Sequence, residues 1–339
     1  MQKEITNPGE LLDEKGNLAQ RGWMKDVLLR YDRTRIRAPR FAIKEWDYYC
    51  ILGGNAGIAL TIADNGYLGL GSVTLFDFSE PREWTKSIMK PFPLGKMKLP
   101  PTSHAGDVHF EHKDMRLSFE KNGTERRLSL SIKNFHDNKW VEGSLVLQQP
   151  DALDTMAIAT PFQKDRRFYY NQKINCMAAS GEVHFGERVF RFGKGPAFGV
   201  LDWGRGVWTY ENTWYWGSAS GLVDGASFGF NIGHGFGDTS AATENMLFYK
   251  GQAHKLEEVT FHLPEKGFMT PWRFSSSDGR FEMKFEPLLD RASDSNFQII
   301  RSNQHQVFGL YSGKAVLNSG KVIVLDKFLG FAEKVMNRW

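Results

Sequence analysis

The chain repeats itself. Laid over itself so that Trp46 falls on Trp214, it also brings Tyr48 onto Trp216, Gly53 onto Gly221, Gly57 onto Gly225 and Gly69 onto Gly237. The strand-like run Ile58–Ile62 then falls on Ala226–Phe230 without a gap, and His234 falls on Gly66. The ends of the halves agree as well. Gly199-Val200-Leu201-Asp202 with Arg205 beyond it matches Gly330-Phe331-Ala332-Glu333 with Arg338 beyond it, and Ser180-Gly181 and Ser312-Gly313 are expected to open the hairpins that lead there. Ordered agreement at both ends indicates a duplicated unit. The boundary is placed near residues 206–213, giving an approach segment over 1–35, a first domain over 36–206 and a second over 207–339.

Each unit reads as β. Met115–Phe119, Leu128–Ile132, Val141–Leu147, Val183–Phe192 and Phe281–Phe285 alternate apolar and polar residues, and Asn122-Gly123, Gly186-Glu187 and Asp278-Gly279 supply turns between them. The 34 glycines and 26 phenylalanines suit short strands and tight turns. Only Glu80–Met89 is expected as a short helix. The predicted class is therefore all-β: two tandem antiparallel barrels behind a short N-terminal extension. If the first and last strands of a unit meet, an arginine after the last strand can lie over the tryptophan of the first while capping open carbonyls. The pairs expected are Trp46 with Arg205 and Trp214 with Arg338.

Composition excludes several classes. A net charge of +4 is too mild for a nucleic-acid partner, and the basic stretch Lys25–Lys44 is broken by Asp26 and Asp32, as on a solvated face. Two cysteines, Cys50 and Cys176, cannot build a four-cysteine zinc site or a disulfide framework. The N-terminus lacks an apolar export core and no run is long enough to span a bilayer, so the expected location is cytoplasmic, with no integral membrane association. His104, Asp107, His109, Glu111 and His112 look like metal ligands, but strand alternation points His109 and Glu111 away from His112. Gly233-x-Gly235-x-Gly237 lacks the βαβ setting of a dinucleotide loop. No metal and no organic cofactor is expected, and the oligomeric state stays open.

Several stretches resemble a bacterial family known only as domain of unknown function 2804. They are Gly16-Asn17-Leu18 with Gly22-Trp23, Lys44-Glu45-Trp46-Asp47-Tyr48-Tyr49, Thr61-Ile62-Ala63-Asp64, Asp202-Trp203-Gly204-Arg205-Gly206, Trp214-Tyr215-Trp216, Ala242-Thr243-Glu244-Asn245 and Gly330-Phe331-Ala332-Glu333. More remotely, the early Trp-Tyr strand, the acidic element ahead of Trp214-x-Trp216 and the final Gly-x-x-Glu resemble the tandem lipocalin-like (calycin) proteins, which include carotenoid 1,2-hydratases and fungal Diels–Alderases. That resemblance implies two barrels and a ligand cavity in or between them, without metal or cofactor. It transmits no particular reaction.

The chemistry-bearing candidates follow from the repeat. Asp202, Glu244, His234 and Asp47 are the candidate catalytic groups; Tyr48, Trp203, Tyr210, Trp214 and Trp216 are candidate ligand-binding aromatics. Trp46, Arg205, Glu333 and Arg338 are read as fold determinants. Asp202 shares that reading through its counterpart Glu333, whereas His234 and Asp47 have no acid–base counterpart in the other half. Glu244 is expected on the next strand after His234, and the two form an acid–base pair if they come within hydrogen-bond reach. Trp46 at the base of the barrel would leave Asp47 outside it, since successive strand residues face opposite ways. Three functions fit: a cofactor-free hydratase, isomerase or cyclase using a carboxyl acid on an apolar, terpenoid- or lipid-like molecule; a protein that only binds such a molecule; and a carbohydrate-active enzyme. The barrel interior is expected to meet the ligand.

Overall fold

The structure is a computed structural model that describes every residue except Met1, Lys194, Gln298, Ile299 and Trp339. Among the described residues there is no α-helix, only two short 3-10 turns at Arg33–Arg35 and Arg40–Ala42. Two large antiparallel sheets hold most of the chain. The first runs, strand by neighbouring strand, Arg82–Pro91, Leu68–Asp77, Ala56–Asp64, Ile43–Gly53, Ala197–Val207, Phe168–Phe185, Lys139–Gln148, Glu125–His136, Met115–Asn122 and Val108–His112. It curls into a nearly closed barrel. The second has nine strands and forms a half-barrel: Gln252–Lys255, Met246–Tyr249, Ala226–His234, Glu211–Val223, Val322–Arg338, Ile300–Val316, Phe281–Phe297, Trp272–Ser276 and Val259–His262.

In both sheets the opening strand (Ile43–Gly53, Glu211–Val223) pairs with the closing strand (Ala197–Val207, Val322–Arg338) at the middle of the order. The free edges fall instead between mid-chain strands. In the first sheet this is where the proline-rich connection from Pro91 to Pro101 crosses. Registers agree between the copies: Tyr48 faces Asp202 as Trp216 faces Glu333, and Ile51 faces Gly199 as Ala219 faces Gly330. The two ends of the repeat, found separately, thus land on the same rungs.

The next strand departs from the ungapped match. The first hairpin turns after Gly53, the second only after Val223. Asp47 therefore faces Ile62 while its equivalent Tyr215 faces His234, so His234 corresponds to Ile62 and not to Gly66. Three further expectations are corrected. Glu80–Met89 is no helix but a turn leading into Arg82–Pro91, whose alternating exposure fits its pairing with Leu68–Asp77. Ser180-Gly181 and Ser312-Gly313 lie inside long strands, where the glycines adopt φ of 126° and 154°. Glu244 sits in the connection ahead of Met246–Tyr249, not on a strand.

Both interiors are filled. Tyr49, Phe110, Phe119, Tyr170 and Trp203 pack inside the first barrel, and Phe230, Trp272, Phe274, Phe285 and Tyr311 inside the second. The opening and closing strands are buried on their outer faces as well, because there the two barrels meet. Tyr48, Cys50, Phe76, Phe78 and Val200 of the first pack on Trp216, Phe308 and Phe331 of the second. Each such buried side chain contributes about 1.5–3 kcal/mol. A bulge at Asn175 and Cys176 adds polar ties: Asn175 Nδ2 donates to Ser218 Oγ at 2.8 Å and the Cys176 N–H to Ser220 Oγ at 3.0 Å. The N-terminal segment straps both sheets, with Trp23 on the strand Met156–Pro161 and Lys3 N–H bonded to the Ala241 carbonyl.

Candidate functional site between the two barrels

The seam between the barrels gathers the titratable groups. Asp202 and Lys173 face each other on neighbouring strands of the first barrel, and Lys173 Nζ lies 2.8 Å from Asp202 Oδ1. Asn171 Nδ2 donates to the same oxygen at 2.6 Å. Lys173 also reaches across the seam, with Nζ 3.9 Å from the centre of the Trp216 ring. In the second barrel, Gln306 faces Glu333 on the neighbouring strand. Gln306 Nε2 donates to Glu333 Oε2 and, across the seam, to Tyr48 Oη, both at 3.0 Å. Trp214 Nε1 donates to the other oxygen, Glu333 Oε1, at 2.9 Å.

Glu244 joins this cluster from its connection. Its carboxylate lies against Gly233, where a Cβ would stand 2.0 Å from Glu244 Oε1 and push the carboxylate aside. Asn231 bridges the groups, accepting from Trp216 Nε1 at 2.6 Å and donating to the Glu244 carbonyl at 2.8 Å. Burial pushes Glu244 up and Glu333 up to about 7. The Lys173 charge opposes this for both and the Asp202 charge adds to it, so the three acids and one lysine form a single electrostatic unit.

Aromatic rings wall the cluster on its solvent side. Trp46 stacks on Tyr169 with ring centres 6.1 Å apart and meets Trp208 edge-on at 5.1 Å. The Trp46 indole covers Gly204, where a Cβ would come within 1.9 Å of the ring. A narrow cleft of about 10 Å³, lined by Ile158, Thr160, Tyr169, His234, Phe236 and Glu244, opens beside the cluster.

The remaining expected residues lie elsewhere. Asp47, Trp203 and Arg205 point into the first barrel, since Arg205 faces Glu45 across the strand pair and so shares a face with Asp47 rather than Trp46. Arg205 binds Asp47 at 3.0 Å and caps the carbonyls of Trp46, Gly204 and Pro100, each at 2.8 Å, while its guanidinium lies 4.4 Å over Trp203. The capping expected of Arg205 is present, but its stacking partner is Trp203, not Trp46. Arg338 pairs with Glu211 at 3.2 Å and lies over Tyr210 rather than Trp214, because it stands on the last rung of the closing strand, opposite Glu211. Tyr210 is exposed in the connection between the sheets. His234 is exposed beside Tyr215 and makes no hydrogen bond to Glu244: it points to the face opposite Gly233, against which Glu244 rests. The histidines of the former metal candidate have separate partners, His104 on Asp26 and His109 on Ser118. Among the described residues no three histidine, cysteine or acidic side chains converge as a metal site would need. Nor is any helix among them long and apolar enough to cross a membrane.

Sequence reasoning did not single out Lys173, Asn171, Tyr169 or Gln306. A signal existed: Asn171, Lys173 and Asn175 occupy alternate positions of the strand Phe168–Phe185 and are all buried. Three polar residues on one strand face between aromatics mark a wet or paired surface.

Two barrel-like sheets in tandem, joined through their opening and closing strands with ionisable groups in the seam, define the fold class. The fold is similar to that of kievitone hydratase from Nectria haematococca, with 9% identity, a TM-score of 0.55 and 97% and 98% of the two chains covered. It is similar too to CghA bound to Sch210972, with 11% identity, a TM-score of 0.54 and 97% of each chain covered. A third similar structure is an AttH-type protein of Nitrosomonas europaea, at 13% identity and a TM-score of 0.50 over 91% and 96% of the chains. At such identities these likenesses establish the fold. No curated protein sequence matches the chain. The chain belongs to the family described as domain of unknown function 2804, whose model spans residues 2–339.

Proposed function

We propose that the protein is a cofactor-independent acid–base enzyme of the hydratase, isomerase or cyclase kind, acting on a largely apolar unsaturated molecule held in the seam. One observation carries this reading. Glu333 is a buried carboxyl titrating near neutrality, anchored at both oxygens by Trp214 and Gln306 and set beside a lysine–aspartate pair. A carboxyl held this way is protonated in part at pH 7 and delivers a proton to an alkene or carbonyl carbon, or removes one. Lys173 and Asp202 fix the local charge, and the faces of Trp214 and Trp216 stabilise positive charge that develops on the ligand. Asn171 Oδ1, buried without a hydrogen-bond partner, offers an acceptor for a water or a ligand hydroxyl. Glu244, at the cleft, is the second acid–base group. Asp202 acts here as the partner of Lys173. The name of one similar fold, a hydratase, supports this class without choosing within it.

The test begins with the ligand that co-purifies with the protein, extracted and identified by mass spectrometry. Returned to the protein in deuterated water, it is expected to gain one water or to take up deuterium at carbon, and Glu333→Gln is expected to abolish that change. A ligand that binds and returns unaltered would leave the protein a carrier.

A further inference from the structure

At the cleft, the ring of Phe236 occupies a site built for an aromatic ring. Tyr169, Trp208, Phe162 and Trp214 surround it with ring centres at 4.7, 4.9, 5.2 and 5.2 Å. All four meet it nearly edge-to-face, at interplanar angles of 86°, 85°, 87° and 70°. That arrangement suits the quadrupole of an aromatic ring and gives a saturated ring no such advantage. One wall of the box, Trp214, is the residue whose indole N–H holds Glu333.

The segment carrying Phe236 is built to pivot. Phe236 lies between Gly235 at φ 87° and Gly237 at φ 76°, a backbone that side-chain-bearing residues rarely adopt. Firm anchors stand on either side: the Gly233 N–H on Asn245 Oδ1 and the Asp238 N–H on the Pro161 carbonyl, both at 2.7 Å. Between the strand end at His234 and Asp238, Gly235–Gly237 belong to no strand, so the ring can swing out without unpairing either sheet.

We infer that Phe236 is an internal stand-in for the ligand, and that the seam takes molecules bearing a planar aromatic ring, which displace Phe236 and dock against Trp208 and Trp214. This rests on the reading of the seam as the reaction site and narrows its substrate class. Ring docking beside Trp214 would place the attached unsaturated arm at the acid, and Phe236 would close the cleft when the site is empty.

The experiment follows the indole N–H signals of Trp208 and Trp214 while 2-naphthol, or its fully saturated counterpart decahydro-2-naphthol, is titrated into the full chain. In the wild type, 2-naphthol is expected to shift both signals and to bind at least about 5-fold tighter than the saturated compound. Phe236→Ala removes the competitor and is expected to tighten 2-naphthol binding about 10-fold. Phe236→Leu keeps the space filled during folding and is expected to move affinity the same way by a smaller factor. Unchanged or weaker binding in a folded variant, equal affinity for the saturated compound, or shifts confined to Trp84 or Trp140 would overturn the proposal. So would failure of both variants to fold, because Phe236 would then be fixed core. Glu333→Gln keeps the docking response in every case, so loss of the acid role and loss of the aromatic site are separately visible.

Discussion

Lys173 and Gln306 hold the same position in the two sheets: each faces the acid of its own closing strand and contacts the opening-strand aromatic of the other barrel. The copies differ in charge at that point. Asp202 has an ammonium beside it, whereas Glu333 has only neutral donors from Gln306 and Trp214. Asp202 is thus paired with a cation, while burial lets Glu333 keep its proton toward neutrality. The proposed acid role of Glu333 rests on this difference.

The first prediction is a pH effect on stability. Burial raises the Glu333 carboxyl from its ordinary 4.5 to about 7. Below about pH 4.5 folded and unfolded chains both carry this proton, and above about 7 neither does. In between, only the folded chain holds it, so stability falls as pH rises through that window, by about 3 kcal/mol in all. Urea melts across pH 4–8 are expected to show this slope in the wild type and to lose that contribution in Glu333→Gln. An equal slope in both proteins would contradict it.

Trp214→Phe removes one of the donors that hold the Glu333 carboxylate. That hydrogen bond lowers the pKa, so its loss moves the titration above about 7 and reduces the charged fraction at neutral pH. Infrared difference spectra of the protonated carboxyl, taken from pH 6 to 9, read the shift directly.

Lys173→Met leaves Asp202 buried without its cation and is expected to cost about 3–5 kcal/mol in chemical unfolding. Adding Asp202→Asn removes the stranded charge, so the double variant is expected to regain a large part of that loss. Equal stability of the single and double variants would mean that Lys173 and Asp202 do not act as a pair.

Inside the first barrel the expectation is the opposite for function. Arg205→Met strips three carbonyls and Asp47 of their partner and is expected to destabilise the protein by at least about 3 kcal/mol. Its ligand affinity, measured where the variant is still folded, is expected to stay within about 2-fold of wild type. A larger loss of binding would bring the Asp47–Arg205 network into the site.

The fold was largely legible because the repeat and the alternation report on hydrogen-bonded registers, and the two halves close on equivalent rungs. The side of the sheet was not. Ile43–Gly53 is buried on both faces, so its pattern could not tell interior from seam, and Asp47 and Trp46 were each expected on the wrong face. His234 was matched to Gly66 because an ungapped comparison cannot see that the second hairpin turns later. In the sequence Glu333 is matched by its counterpart Asp202, as a fold determinant would be. Only the different neighbours of the two acids, which come from distant strands, distinguish it. The groups that surround them, Lys173, Asn171 and Gln306, carry no motif and become a site through register alone.

The reciprocal contacts across the seam have a further implication. Each half offers the other the same patch, Tyr48 and Asp202 in one and Trp216 and Glu333 in the other, which is how two copies meet about a half-turn axis. A single unit standing alone would leave that apolar patch in water, so a forerunner of one unit would have needed a twin. Joined through Trp208–Tyr210 in one chain, the two halves need not match residue for residue, and here one acid stands beside a lysine and its counterpart beside an amide.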